Sequence, residues 1–246
     1  MAFQLYEPFM RRFRPRRLRL FYKLLGIGAN TRVLDVGGGS FFWDLARAEG
    51  LPLPRITVLN IRPPREEARE YFTWVIGDAR RIEFPDRSFD AVFSNSLIEH
   101  LGDRRSQFDF ACEVRRLAPS YFVQTPDWRF PIEPHFVTPF IHWLPRSVRS
   151  KLIRNGTLWG ILHRPSLEVC RALSQEIALL NVRDMADLFP DAQVLSERFA
   201  GFPKSILAFK SAANPPLHSP RHSPRHSSSG STLGPGAESP WVKSKP

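Results

Sequence analysis

Two sets of residues in this chain have the types and spacing to do chemistry. The first is a run of glycines behind an acidic residue, Asp35 and Gly37-Gly38-Gly39, within residues 31–46 (TRVLDVGGGSFFWDLA). Glycines let backbone approach a ligand, and a helix start behind them offers free N–H groups and the positive end of a dipole. That combination is a cradle for a nucleotide. The second set is a pair of imidazoles beside carboxylates, Glu99-His100 and Glu133-Pro134-His135. Histidine titrates near neutrality, so His100 or His135 could take a proton from an acceptor hydroxyl. Glu99 and Glu133 could join them around a divalent ion, but the spacing matches no ligand motif and no metal is expected.

These residues need elements to hold them. Val33, Leu34 and Val36 predict a buried strand, and Phe42, Leu45 and Ala46 fall at helical spacing behind the glycines. Strand, glycine turn and helix is how an open α/β sheet builds a nucleotide site. A dinucleotide fingerprint wants a third glycine where Phe42 stands, and Phe is too large for that packing. A phosphate-binding P-loop needs a Lys-Ser or Lys-Thr pair after the glycines, and no such pair is there. Further strands are predicted at 55–62, 72–76, 91–94 and 120–125, and helices at 104–117, 166–180 and 182–189. Two last strands, 192–199 and 205–209, flank Gly201-Phe202-Pro203.

Three ordered stretches carry a family resemblance. They are V-L-D-x-G-x-G at 33–39, Gly77-Asp78-Ala79 after the third strand, and F-P-D-x-S-F-D-x-V-x-S-x-S-x-x-E-H at 84–100. Together they resemble the class I S-adenosylmethionine-dependent methyltransferases. The third is similar to the type 11 group, which includes the quinone-biosynthesis methyltransferases. The likeness spans residues 30–210. It implies an α/β fold: a doubly wound, mostly parallel seven-stranded Rossmann-like sheet, with a lid inserted after the fifth strand. It also implies S-adenosyl-L-methionine as cofactor. In that reading Asp35 orients the glycine turn and the donor's amino acid end, and Gly37 and Gly39 admit the donor. Asp78 accepts from the adenine amino group and the Ala79 N–H donates to the ring. Ser94 and Asn95 lie beside the sulfonium. Asn60 falls where the family carries Asp or Glu for the ribose hydroxyls. Asn keeps one acceptor oxygen and adds a donor, so it can still bind a diol, less tightly. His100, His135 and Glu133 are the candidate catalytic residues for deprotonating an acceptor oxygen.

The 246 residues carry a net charge of +11, unevenly placed. Residues 1–19 hold six Arg against Glu7, and residues 127–165 hold five Arg and one Lys against Asp127 and Glu133. From 211 onward two Arg and two Lys face Glu238, which leaves the remainder of the chain at −1. A near-neutral core with basic appendages favours acidic partners: phosphorylated substrates, anionic membrane or nucleic acid. Residues 1–30 are expected to form a basic aromatic arm and a helix (Leu18, Phe21, Tyr22, Leu25). That helix either packs on the sheet edge or flaps over the cofactor with residues 11–19 toward an acidic substrate or lipid headgroups. Residues 31–210 are expected to be the methyltransferase domain, and 211–246, with its H-S-P-R repeat, a disordered tail. The insertion, 127–165, is rich in Pro, Trp, Phe and Arg and long enough for a lid or acceptor pocket. Within it Val148, Leu152 and Ile153 predict a short helix with Arg149, Lys151 and Arg154 on its other side. Trp143 and Trp159 would anchor such a patch on a bilayer surface.

No apolar run spans a membrane, and the start lacks the uncharged core of a signal peptide. A cytoplasmic protein is expected, with peripheral membrane contact through the basic segments. Cys112 and Cys170 read as buried small hydrophobes. The expected function is methyl transfer to a small-molecule or lipid-linked acceptor, at oxygen. An RNA or nucleotide methyltransferase is a second reading, although no Asn-Pro-Pro-Tyr-like motif follows the fourth strand. A catalytically degenerate binding protein is a third, suggested by Asn60.

Overall fold

The computed structural model describes residues 2–64, 71–133 and 138–212, without the side chains of 2–12 and 146. The helices are α1 (Ala2–Leu25), α2 (Ser40–Ala48), α3 (Arg104–Leu117), α4 (Arg146–Gly156), α5 (Leu158–His163), α6 (Leu167–Glu176) and α7 (Val182–Leu188). The strands are β1 (Arg32–Val36), β2 (Arg55–Asn60), β3 (Phe72–Ile76), β4 (Ala91–Asn95), β5 (Ser120–Pro126), β6 (Ile132–Glu133), β7 (Thr138–Pro139), β8 (Gln193–Phe199) and β9 (Phe202–Lys210). Seven of them make one sheet in the order β3-β2-β1-β4-β5-β9-β8. The first five are parallel, and β9 runs antiparallel between β5 and β8. Ala200 and Gly201, at φ 49° and 84°, turn β8 back into β9 as a tight hairpin. This is the doubly wound, Rossmann-like sheet expected. Its strand order reverses between β1 and β4, and such a switch point opens a crevice at the strands' carboxyl ends.

Alternation along the strands covers both faces. Val33, Val58, Phe93 and Phe122 pack against Leu18, Phe21 and Leu25 of α1 and Phe42, Trp43 and Ala46 of α2. Their neighbours Leu34, Leu59, Val92 and Val123 pack against Phe110, Val114 and Leu117 of α3 and Met185 and Leu188 of α7. The expected arm and helix are one element: α1 starts at Ala2, not residue 18, and runs through Pro8 and Pro15. Each proline removes a helical hydrogen bond. The residues after Pro15 bury Leu18, Phe21, Tyr22 and Leu25, which holds the helix to the sheet.

Between β5 and α7 the chain makes a separate excursion. Its ends meet where the Trp128 N–H donates to the Leu180 carbonyl at 3.0 Å. Inside, β6 pairs with β7, and Ile141, Ile153, Cys170 and Ile177 make a small core. The inserted segment therefore reaches past 165, because α6 supplies part of its core. The outward face of α4 also differs from the expectation. Arg149 and Ile153 are buried, while Val148 and Leu152 are exposed. The cause is Ser174, whose hydroxyl accepts from Arg149 Nε at 3.0 Å and whose carbonyl accepts from Nη2. Cys170 is buried in this core, Cys112 is half-buried on α3, and neither is in a disulfide. No helix among the described residues is long and apolar enough to cross a membrane.

Candidate functional site

The glycine turn closes tightly over Asp35. This carboxylate is buried in the middle of the sheet and accepts from Trp43 Nε1 at 2.8 Å. A Cβ on Gly38 would fall 2.0 Å from Asp35 Oδ2, so only glycine can pass there. Gly37 has φ +77°, and a Cβ on it would meet Leu97 at 2.7 Å. Gly39 is different, because a Cβ there meets nothing within 4 Å. It is the N-cap of α2, and no side chain caps that helix end. Asp103, Thr157, Ser166 and Asn181 cap α3, α5, α6 and α7 with their side chains. The starts of α2 and α4 carry no side-chain cap, which leaves the N–H groups and dipole end of α2 to other partners.

The start of α2 faces a cavity of about 790 Å³ across the carboxyl ends of β1, β2 and β3. That size suits a nucleoside-sized ligand, since small-molecule sites run roughly 300–1,000 Å³. Gly37 to Phe41 form one wall, Asn60 and Ile61 the next, and Gly77-Asp78-Ala79 the far end. Ser96, Leu97, His100 and Glu176 close the remaining side. The open Gly39 position and the uncapped helix start fit a nucleoside with an anionic or amino acid end.

The polar groups have partners of their own. Asn60 Nδ2 donates to the Gly38 carbonyl at 3.0 Å, and its Oδ1 accepts from the Arg62 N–H at 3.3 Å. It clasps the glycine turn from β2. Asp78 takes both Nε and Nη2 of Arg80, at 3.0 and 2.6 Å, and this guanidinium holds its carboxyl below the usual range. Ala79 is buried against the cavity. Asp35 is the reverse of Asp78. Burial pushes it up to about 7, against the Trp43 hydrogen bond, and its Oδ1 has no partner among the described residues.

The two residues at the end of β4 lie away from this cavity. Ser94 is buried and donates to the Val36 carbonyl at 3.0 Å, tying β4 to β1. Asn95 Oδ1 accepts from Arg17 Nη1 at 2.6 Å. Arg17, buried on α1, also donates to Gln124 Oε1 at 2.7 Å and to Glu197 Oε2 at 2.6 Å. Beside it burial pushes the Lys204 ammonium down to about 7, with Arg17 adding to the effect. Arg14 lies 4.3 Å over the ring of Phe41, a residue of the cavity wall. So α1 does two things: it packs on the sheet and brings cations to the rim of the site.

Among the candidate catalytic residues, His100 lines the cavity, with Nδ1 3.3 Å from Glu176 Oε1. Glu133 is buried in β6, outside the cavity wall. His135 lies outside the described residues. Glu99 is buried and accepts from Thr125 Oγ1 at 3.0 Å, so it braces β5 rather than facing the cavity. Glu176 and Arg17 were not foreseen as site residues. Glu176 sits in no motif, and Arg17 is one of six arginines in its stretch.

Residues 34–119 match the family model described as a methyltransferase domain. No curated protein matches the chain in sequence. Among solved structures it is similar to phosphoethanolamine N-methyltransferase 2 of Haemonchus contortus, in complex with S-adenosyl-L-methionine, at 12% identity and TM-score 0.53. That match covers 79% of this chain and only 51% of the Haemonchus protein. A chain of the Haloferax volcanii complex with the Trm112 methyltransferase activator matches at 12% identity and TM-score 0.50, covering 85% of this chain and 94% of that one. The PH0226 protein of Pyrococcus horikoshii matches at 18% identity and TM-score 0.50, covering 81% and 90%. At such identities the likeness is one of fold. With the glycine turn, the strand order and the match over residues 34–119, the chain has a Rossmann-like methyltransferase fold.

Proposed function

We propose that the chain transfers the methyl group of S-adenosyl-L-methionine to an oxygen of a small-molecule or lipid-linked acceptor. The observation that carries this is a single cavity joining the glycine turn, Asn60 and Asp78-Ala79 to the His100–Glu176 pair. When bound, the donor's sulfonium supplies an electrophilic methyl group. The protein's part is to hold both reactants in line and keep water out. Gly37, Gly39 and the open start of α2 would receive the amino acid end, over the turn that Asp35 supports. Asn60 would offer Oδ1 to the ribose, and Asp78 and Ala79 would meet the adenine. Ser94 and Asn95 would act from behind the wall, by fixing the end of β4. His100 would take the proton from the acceptor oxygen through Nε2, with Glu176 holding Nδ1. Glu133 and His135 remain the second candidates, on the insertion side.

A catalytically degenerate binding protein is the alternative that a specific observation favours. The polar atoms of Asn60 and Asp78 are already engaged within the chain. Calorimetry with the methyl donor and with its demethylated product separates the two. Heat with the wild type and none with Asp35→Ala is the expected result. No heat with either ligand at millimolar concentration would remove the enzyme reading. Incubating cell extract with methyl-labelled donor, then fractionating it into lipid, RNA, protein and small molecules, would identify the acceptor class.

A further inference from the structure

We infer that the helical part of the insertion docks on the surface of an anionic bilayer. Nineteen large apolar side chains are exposed among the described residues, and ten of them lie between residues 140 and 169. Such a concentration marks an interaction site, whereas scattered single residues would not. Each helix shows the same asymmetry. α4 exposes Val148 and Leu152, four residues apart, while Arg149 and Ile153 are buried. α5 exposes Ile161 and Leu162 and buries Gly160. α6 exposes Leu167 and Val169 and buries Cys170 and Ser174. An arginine inside and leucines outside is the inverse of a helix built to face water.

The charge says what covers this face. Residues 146–171 hold five Arg and one Lys against Glu168 alone. Lys151, Arg164 and Arg171 are exposed. Aliphatic side chains flanked by cations of one sign fit the headgroup and acyl boundary of an anionic leaflet. The rings of Phe140 and Trp143, 5.0 Å apart and about half exposed, sit beside α4. Trp159, expected as an anchor, is half-buried against the insertion core instead. With no described helix able to span a membrane, the contact is interfacial. The insertion leaves the sheet at the carboxyl end of β5, the end of the sheet at which the cavity opens. A lipid-linked acceptor would then have a short route in; that corollary rests on the proposed reaction, while the docking does not.

Sedimentation of the full chain with vesicles tests this without any methyl donor. The vesicles are phosphatidylcholine alone, or the same with about a third phosphatidylglycerol. The chain should sediment with the second and stay in solution with the first, and about 0.5 M salt should release it. Lys151→Gln with Arg171→Gln should lower the partition constant about twentyfold or more, from roughly fivefold per charge near the surface. Leu152→Asp with Ile161→Asp should lower it about tenfold or more, since each deletes an apolar side chain that docking would bury. Both pairs replace exposed residues, so circular dichroism and the melting temperature should stay those of the wild type. No binding to anionic vesicles, equal binding to both kinds, or wild-type binding by the Leu152/Ile161 pair would each overturn the inference. So would a solution dimer that both pairs convert to monomer, which would assign the face to a second copy.

Discussion

Asp35 and His100 are both acid–base groups next to the same cavity, and their surroundings give them opposite tasks. Asp35 lies under Gly38 with one hydrogen bond, and burial pushes it up to about 7. In the fold it therefore holds a proton that the unfolded chain releases at lower pH. The stability this confers is complete below the ordinary carboxylate value and is lost as pH rises through about 7. Asp35→Asn removes the titration. Its melting temperature relative to the wild type should climb between about pH 5 and pH 8, and a constant difference would contradict the assignment. His100 stands on the cavity wall with a carboxylate behind it. His100→Gln should lower turnover by about a hundredfold or more with donor affinity unchanged, the scale of a lost general base. Glu176→Gln should lower kcat by about tenfold and leave KM for the donor alone, as expected for a group that only orients the imidazole. Unchanged turnover in His100→Gln would pass the role to Glu133 or His135.

α1 is the element whose role changed most on folding. Its periodic apolar residues predict a helix on the sheet, and Leu18, Phe21, Tyr22 and Leu25 are buried there. Its charges were expected to be solvated or to face a ligand, yet Arg17 plugs into Asn95, Gln124 and Glu197 at the ends of β4, β5 and β8. Arg17→Met would strand the Glu197 carboxylate, and breaking such a buried pair costs about 3–5 kcal/mol. Denaturant unfolding should show that loss, and adding Glu197→Gln should recover most of it. The same competition set the outward face of α4. An amphipathic pattern fixes that a helix forms, but Ser174, on α6, fixed that Arg149 points inward.

At the scale of the molecule the packing falls into a sheet with a core on each face and an insertion with a small core of its own. That arrangement predicts separable stability. Ile153→Ala should cost about 2–5 kcal/mol, confined to the insertion. Hydrogen exchange should quicken in α4, α5 and α6 and stay unchanged in β1, β4 and β5. Equal acceleration in the sheet would show one cooperative unit. The elements of the sheet were legible from their apolar runs, and the glycine turn from three adjacent residues. The last two residues of β4 were legible as a place but not as contacts, because Ser94 and Asn95 are claimed by Val36 and Arg17 from far along the chain.

The sequence by itself determined the order of the sheet's strands and of the helices between them, and the glycine turn that leads from Asp35 into α2. These depend on periodicity and on what a side chain does to its own backbone, and both act within a few residues. Only the tertiary structure decided that Glu176 stands behind His100, that Arg17 holds Asn95, and that α4 shows its leucine outward. Each of those is a pairing across many residues of chain. A charged group takes whichever partner the packed elements bring within reach, and no local pattern records which one that will be.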